Sequence, residues 1–143
     1  MKKIASAAFV FALLGTVAAF ADAHDDRVAV MRSNAGTAKA LGGLVANFDA
    51  AAVKAQGQIL VDNGNKIKAL FGPGTDQNDP GASPAIWTDA AGFQAIADKF
   101  IVDATAVMNA ADGPALKAAL TTLQGNCGAC HKQYRIQAPP RPQ

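Results

Sequence analysis

Glutamate is absent from these 143 residues, so all eleven acidic side chains are aspartates. Nothing in the chain gives a physical reason for that absence. Cysteine and histidine occur only twice each, and tryptophan and tyrosine once each. A structural zinc site takes about four ligands, and the chain offers only two Cys, His131 and a distant His24. A thioredoxin-like thiol pair expects a βαβ setting, which the chain lacks. There is no basic run, so nothing points to nucleic acid or to an anionic membrane surface. No apolar stretch beyond the N-terminal one is long enough to span a bilayer, so no membrane partner is expected.

That N-terminal stretch has its own pattern. Lys2 and Lys3 precede an apolar segment from Ile4 to Phe20, and two small-x-small sites follow, Ala19-Phe20-Ala21 and Ala21-Asp22-Ala23. A charged start, a short apolar core and a small-residue cleavage site read as a secretory signal peptide. Residues 1–23 are therefore assigned to the signal, with cleavage after Ala21 or Ala23. The expected mature protein is soluble and exported. From His24 it is a single small domain by length, with seven Lys, four Arg and ten Asp.

The mature chain is rich in Ala and poor in β-branched residues, which favours helices. Four segments place apolar or small residues at alternating three- and four-residue steps. These are Val28, Met31, Ala35, Ala38, Gly42 and Val45; then Val53, Gln56, Leu60, Asn63, Ile67 and Leu70; then Phe93, Ile96, Phe100, Ala104, Val107 and Ala111; and finally Leu116, Leu120, Leu123, Cys127, Cys130 and Tyr134. Asp49 reads as an N-cap after a short turn. Phe71 to Trp87, with Gly72-Pro73-Gly74, Asp79-Pro80-Gly81 and Pro84, reads as one long loop. Asp112-Gly113-Pro114 is a tight turn that places proline in the first turn of a helix. Short, long and short connections predict an all-α, antiparallel up-down-up-down four-helix bundle. The bundle is expected over residues 24–138, followed by a disordered proline-rich tail at 139–143.

The chemistry is carried by Cys127-Gly128-Ala129-Cys130-His131. Cys-x-x-Cys-His is the pattern for covalent haem c attachment: two thiols add across the vinyl groups and the histidine ligates the iron. Cys127, Cys130 and His131 stand at i, i+3 and i+4, on one helix face. That face continues the stripe of Leu116, Leu120 and Leu123, which puts the haem in the bundle core. The mature candidates for the iron's other face are His24, Met31 and Met108. No methionine follows His131, which excludes the class I arrangement with a downstream Met ligand. His24 reads as a solvated residue near the new terminus. Met108 lies beside its helix stripe, and Met31 lies on the stripe of the first helix, where it can reach the distal face.

These residues resemble the cytochrome c′ family, the class II c-type cytochromes of bacterial periplasms. The resemblance runs from about Arg27 to Arg135. It rests on Arg27-x-x-x-Met31, Phe71-Gly72-Pro73-Gly74-Thr75, Pro84-Ala85-Ile86-Trp87 and Cys127-Gly128-Ala129-Cys130-His131-Lys132-Gln133-Tyr134-Arg135. It implies a four-helix bundle, often a homodimer, holding one covalent haem c with five-coordinate iron. His131 would be the axial ligand, and Met31 would crowd the open distal face. Arg27 would lie near a haem propionate, and Arg135 beside the proximal face. Nitric oxide and carbon monoxide would bind at the distal iron. Trp87 and Phe71 read as loop anchors over the core. Two departures stand out: the stretch between the first two helices is short, and position 83 is Ser where some relatives carry a basic residue.

The leading expectation is a non-enzymatic haem protein that binds nitric oxide and carbon monoxide, for scavenging or resistance. The alternative is a one-electron carrier serving a periplasmic redox partner in respiratory or photosynthetic electron transfer. Weak peroxidase chemistry is the third reading, and the chain offers no distal His acid–base pair for it. Cleavage after Ala21 would also create an Asp22-Ala23-His24 terminus, whose amine, amides and imidazole suit square-planar Cu(II) or Ni(II). Intact mass of the exported protein decides this: a chain beginning at His24 has no such site.

Overall fold

The computed structural model describes residues 19–75 and 79–136. Most of the expected signal peptide and the whole tail at 139–143 lie outside the described residues. The helices are α1 (Ala19–Gly43), α2 (Ala50–Leu70), α3 (Ala85–Thr88), α4 (Ala90–Met108) and α5 (Gly113–Tyr134). Both small-x-small sites thus fall in the first turns of α1. Among the described residues there is no strand, only an isolated antiparallel bridge between Ala82 and Arg135.

Three helix starts are set by aspartate. Asp49 accepts from the N–H groups of Ala51 and Ala52, Asp89 from Gly92, and Asp112 from Ala115. Each satisfies orphan donors of a first turn. Pro114 sits in the first turn of α5, where its missing N–H costs nothing.

Cross-helix contacts fix the directions. Arg27 near the start of α1 donates to the Leu70 carbonyl at the end of α2, and Asn63 in mid-α2 donates to Ser33 and Asn34. Gly57 near the start of α2 lies against Met108 at the end of α4. Asn126 of α5 donates to the Ile96 carbonyl of α4, and Tyr134 ends α5 on Phe93 near the start of α4. Successive long helices are therefore antiparallel, and the expected up-down-up-down bundle is the fold. α2 packs extensively on α4, α4 on α5 and α1 on α2, while α1 and α5 touch only sparsely.

Two apolar clusters fill the bundle. One joins Leu41, Val53, Leu60, Phe100, Val107, Leu116, Leu120 and Leu123. The other gathers Val30, Ile67, Phe71, Ile86, Phe93 and Tyr134 at the end where α1 begins and α5 finishes.

Three sequence expectations are corrected. The buried face of α1 is Arg27, Val30, Thr37 and Leu41, one residue out of step with the stripe read through Val28, Met31, Ala35 and Gly42; Ala35 and Gly42 are exposed. Polar Arg27 and Thr37 point inward, so a count of apolar residues misplaces the face. The long connection is interrupted by α3, which begins at Ala85 after Pro84 and buries Ile86. Ala111 lies beyond the end of α4 and is exposed.

Glycine sets the closest helix approach. A Cβ on Gly57 would come 2.5 Å from the Met108 Cα and 2.9 Å from its nitrogen, and one on Gly64 would come 2.6 Å from Ile101 Cγ1. At Gly57 the obstacle is backbone, which cannot turn aside; at Gly64 it is a side chain that can. Gly57→Ala should therefore cost about 2 kcal/mol through overpacking, despite alanine's better helix propensity. Gly64→Ala should cost clearly less. Thermal unfolding of both variants checks the order.

Candidate haem site

The motif occupies the last turns of α5. Cys127, Cys130 and His131 are all half-buried. Cys127 packs on the leucine-rich cluster and Cys130 on the aromatic one, so the motif sits at the junction of the two. Opposite it, on α1, Met31 is half-buried and packs on the same cluster as Cys130. The motif and Met31 therefore flank the α1–α5 seam, where direct helix contact is sparse. Met108, the other internal methionine, is half-buried against Gly57 at the opposite end of the bundle.

The electrostatics suit ligation by His131. Burial, and then the charge of Arg135, hold the His131 imidazole below its ordinary value. It is therefore neutral at physiological pH and offers a lone pair to a metal. Burial also pushes both thiols up, Cys130 to about 11 with a further push from Cys127. Such thiols are not poised as the thiolates that a redox disulfide exchanger needs. Two thiols on one helix face, an adjoining neutral imidazole, apolar walls and a loosely packed seam fit haem c. Cys127 and Cys130 would hold it covalently and His131 would ligate its iron.

Arg27 is 3% exposed. Its Nε and Nη2 donate to the Leu70 carbonyl at 3.1 and 2.9 Å, and Nη1 donates to Asp79 Oδ2 at 3.0 Å. Its guanidinium also lies 4.5 Å from the Phe71 ring centroid and 5.7 Å from that of Trp87. Phe71 and Trp87 are thus anchors, as expected, with Arg27 as their partner; the indole N–H of Trp87 donates to Thr75. Arg27 is thus a buried, paired cation rather than a solvated one. His24 is partly solvated, as expected, with its side chain 39% exposed, and its Nδ1 stands 3.1 Å from Asp79 Oδ2.

Arg135 is exposed at the end of α5, close enough to His131 to act on its charge. Ser83 accepts from the Ala85 N–H with its hydroxyl, and its own N–H donates to the Tyr134 carbonyl. Tyr134 donates to Asp89 Oδ2 at 2.8 Å and meets Phe93 edge-on at 5.2 Å. Burial and Asp89 push its phenol up to about 12.

The residue that sequence reading missed is Asp79. Asp79-Pro80-Gly81 registers only as a turn, yet the Asp79 side chain is 4% exposed and faces Arg27. The sequence carries no signal for it, because only the fold shows that Arg27 is buried and needs a counter-charge.

Bundle and motif together define a c-type haem protein of the four-helix class. The chain belongs to the family described as Cytochrome C', whose model matches residues 22–135. It is 35% identical to cytochrome c-556 of Agrobacterium tumefaciens (strain apple 185) over 119 residues, covering 80% of this chain and 94% of that protein. It is 42% identical over 94 residues to cytochrome c' of Alcaligenes xylosoxydans xylosoxydans, covering 63% and 72%. Among solved structures it is similar to the nitric oxide complex of a point mutant of cytochrome c prime from Alcaligenes xylosoxidans. There the TM-score is 0.73 with 32% identity, over 84% of this chain and 98% of that one. The family binds haem c covalently, and no helix among the described residues is long and apolar enough to cross a membrane.

Asp79 also gives the site a pH dependence. Burial raises its carboxyl, but the Gly81 N–H bond and the His24 and Arg27 contacts outweigh burial and hold it below the ordinary value. A carboxyl depressed in the folded state stabilises above its unfolded value of about 3.9. That contribution is lost as pH falls through the folded value. Asp79→Asn should therefore flatten the acid limb of the stability curve. At neutral pH it should cost about 3 kcal/mol, because Arg27 loses its buried carboxylate. Urea unfolding across the acid range measures both effects.

Proposed function

We propose that this chain is an exported, periplasmic haem c protein that binds nitric oxide, and carbon monoxide, at the iron face turned toward α1. Cys127 and Cys130 carry the haem, His131 is the axial ligand, and Met31 crowds the opposite face. The role is gas scavenging or resistance rather than catalysis, and the working form is a homodimer.

The observation that carries this reading is the character of the α1 side. Met31, which packs on the same apolar cluster as Cys130, has no proton to donate. The nearest cation, Arg27, is committed to Leu70 and Asp79. The chain's other histidine, His24, is directed at Asp79. The inward hydroxyl of α1, Thr37, stands six residues beyond Met31. A distal face made by the Met31 thioether favours ligands that do not depend on a hydrogen-bond donor and disfavours dioxygen. It also lacks the acid–base pair that peroxide chemistry uses. The nitric oxide complex of the similar Alcaligenes protein supports the same direction.

A second reading rests on the sulfur of Met31. A thioether is a haem-iron ligand, and His/Met ligation is the pairing of electron-transfer cytochromes. If the sulfur reaches the iron, the protein is a one-electron carrier.

Visible and resonance Raman spectra of the ferrous holoprotein separate the two. The gas-binding reading expects a five-coordinate high-spin spectrum that nitric oxide and carbon monoxide change. A six-coordinate low-spin spectrum without added ligand would overturn it. In that case Met31→Leu should convert the protein to the five-coordinate form.

A further inference from the structure

Segment 79–83 touches both helices that flank the haem seam. On the α1 side, Asp79 Oδ2 accepts from Arg27 Nη1 at 3.0 Å and lies 3.1 Å from His24 Nδ1. On the α5 side, the Ser83 N–H donates to the Tyr134 carbonyl at 3.0 Å and the Ile136 N–H to the Gly81 carbonyl at 3.1 Å. Asp79 also shapes the turn between these anchors. Its Oδ1 accepts from the Gly81 N–H at 2.7 Å, and its carbonyl accepts from the Ala82 N–H at 3.2 Å. The segment is thus a strap across the end of the seam, hydrogen-bonded to both sides.

The positions of the anchors matter for the iron. Arg27 precedes Met31 by one helical turn on the same face of α1. Tyr134 follows His131 within one turn of α5. Direct α1–α5 contact is sparse, so the strap supplies the polar link that holds these two turns in register. The Arg27–Asp79 pair is buried on both sides, at 3% and 4% exposure. A buried pair of this kind has a defined geometry, because each partner tolerates solvent-free burial only while the other is in place.

We propose that Asp79 is a positioning residue for the distal face. By latching the strap to Arg27 it fixes the setting of α1, and through α1 the distance between Met31 and the iron. It thereby sets how readily a diatomic gas reaches the metal. This rests on the haem reading above and holds whether Met31 crowds the iron or ligates it. In either case, releasing the latch lets Met31 withdraw.

The test uses the holoprotein and two variants, Asp79→Asn and His24→Gln. His24 is 39% exposed on its side chain, so the second variant weakens the latch without stranding a buried charge. Covalent haem is measured by intact mass and carbon monoxide association by flash photolysis of the ferrous protein. Coordination is read by resonance Raman. Asp79→Asn should keep its haem and take up carbon monoxide on the order of fivefold faster or more. His24→Gln should shift the rate in the same direction by less. Amide exchange at Ser83 and Ile136 should quicken in both.

A loop with a merely structural role would alter stability and exchange while leaving the association rate and Raman spectrum at wild-type values. That result in Asp79→Asn overturns the proposal; if that variant does not fold, the same result in His24→Gln does so. A wild-type chain without covalent haem would sink the haem reading and this proposal together. Haem-loaded variants with unchanged kinetics sink this proposal alone.

Discussion

The arrangement at this end of the bundle depends on the weak direct contact between α1 and α5. Three of the four neighbouring long-helix interfaces are well packed, and the fourth is not. In a protein without a prosthetic group, a loose seam beside half-buried thiols would be a packing defect. Here the two cysteines and the histidine line that seam, and the two apolar clusters, which follow one another along the bundle, meet at Cys127 and Cys130. A large planar apolar group inserted there removes surface from water on both faces. Binding that favours the folded chain also stabilises it by mass action. The remaining helices act as a frame: Gly57 brings α2 against α4, and the carbonyl of Val45 lies where a Cβ on Gly113 would go.

The bundle itself was largely legible in the sequence. The stripes of α2, α4 and α5 are carried by large apolar residues, and Val53, Leu60, Ile67, Phe93, Phe100, Val107 and the three leucines of α5 are buried as their spacing required. α1 was misread by one position because its inward face mixes Val30 and Leu41 with Arg27 and Thr37. Periodicity counts apolar residues, and it cannot see a polar residue whose partners lie on another element. Arg27 is tolerated inside because the Leu70 carbonyl and the Asp79 carboxylate accept its hydrogen bonds, forty or more residues away in the chain. α3 has only four residues, too few to show a helical period. The close approach at Gly57 was equally silent, since a glycine in a helix reads as a weakness until its neighbour is known.

For the site, the division follows chemistry. Cys127, Cys130 and His131 are specified by a local pattern whose spacing alone places three groups on one helix face. Met31 was identifiable because the chain has few internal alternatives, and the structure separates it from Met108 by placing the two at opposite ends of the bundle. The partners of Arg27 are non-local. Only the fold brings Asp79 to it, and only the fold shows His24 beside the same carboxylate.

The Arg27–Asp79 pair also decides what kind of pocket the haem faces. A lone buried guanidinium near an iron would offer a hydrogen bond to a bound ligand and a positive charge to the metal's field. Pairing it with Asp79 and the Leu70 carbonyl cancels much of that charge and engages all three of its nitrogens, while Phe71 and Trp87 cover its surface. What remains on the α1 side is the Met31 thioether, aliphatic carbon and, six residues beyond Met31, the Thr37 hydroxyl. Where the wall is the thioether, it discriminates by size and by iron affinity, because a thioether aims no donor at the ligand. Its selectivity therefore depends on how closely Met31 approaches. Asp79 governs that approach from outside the pocket by holding Arg27 one turn away on the same helix.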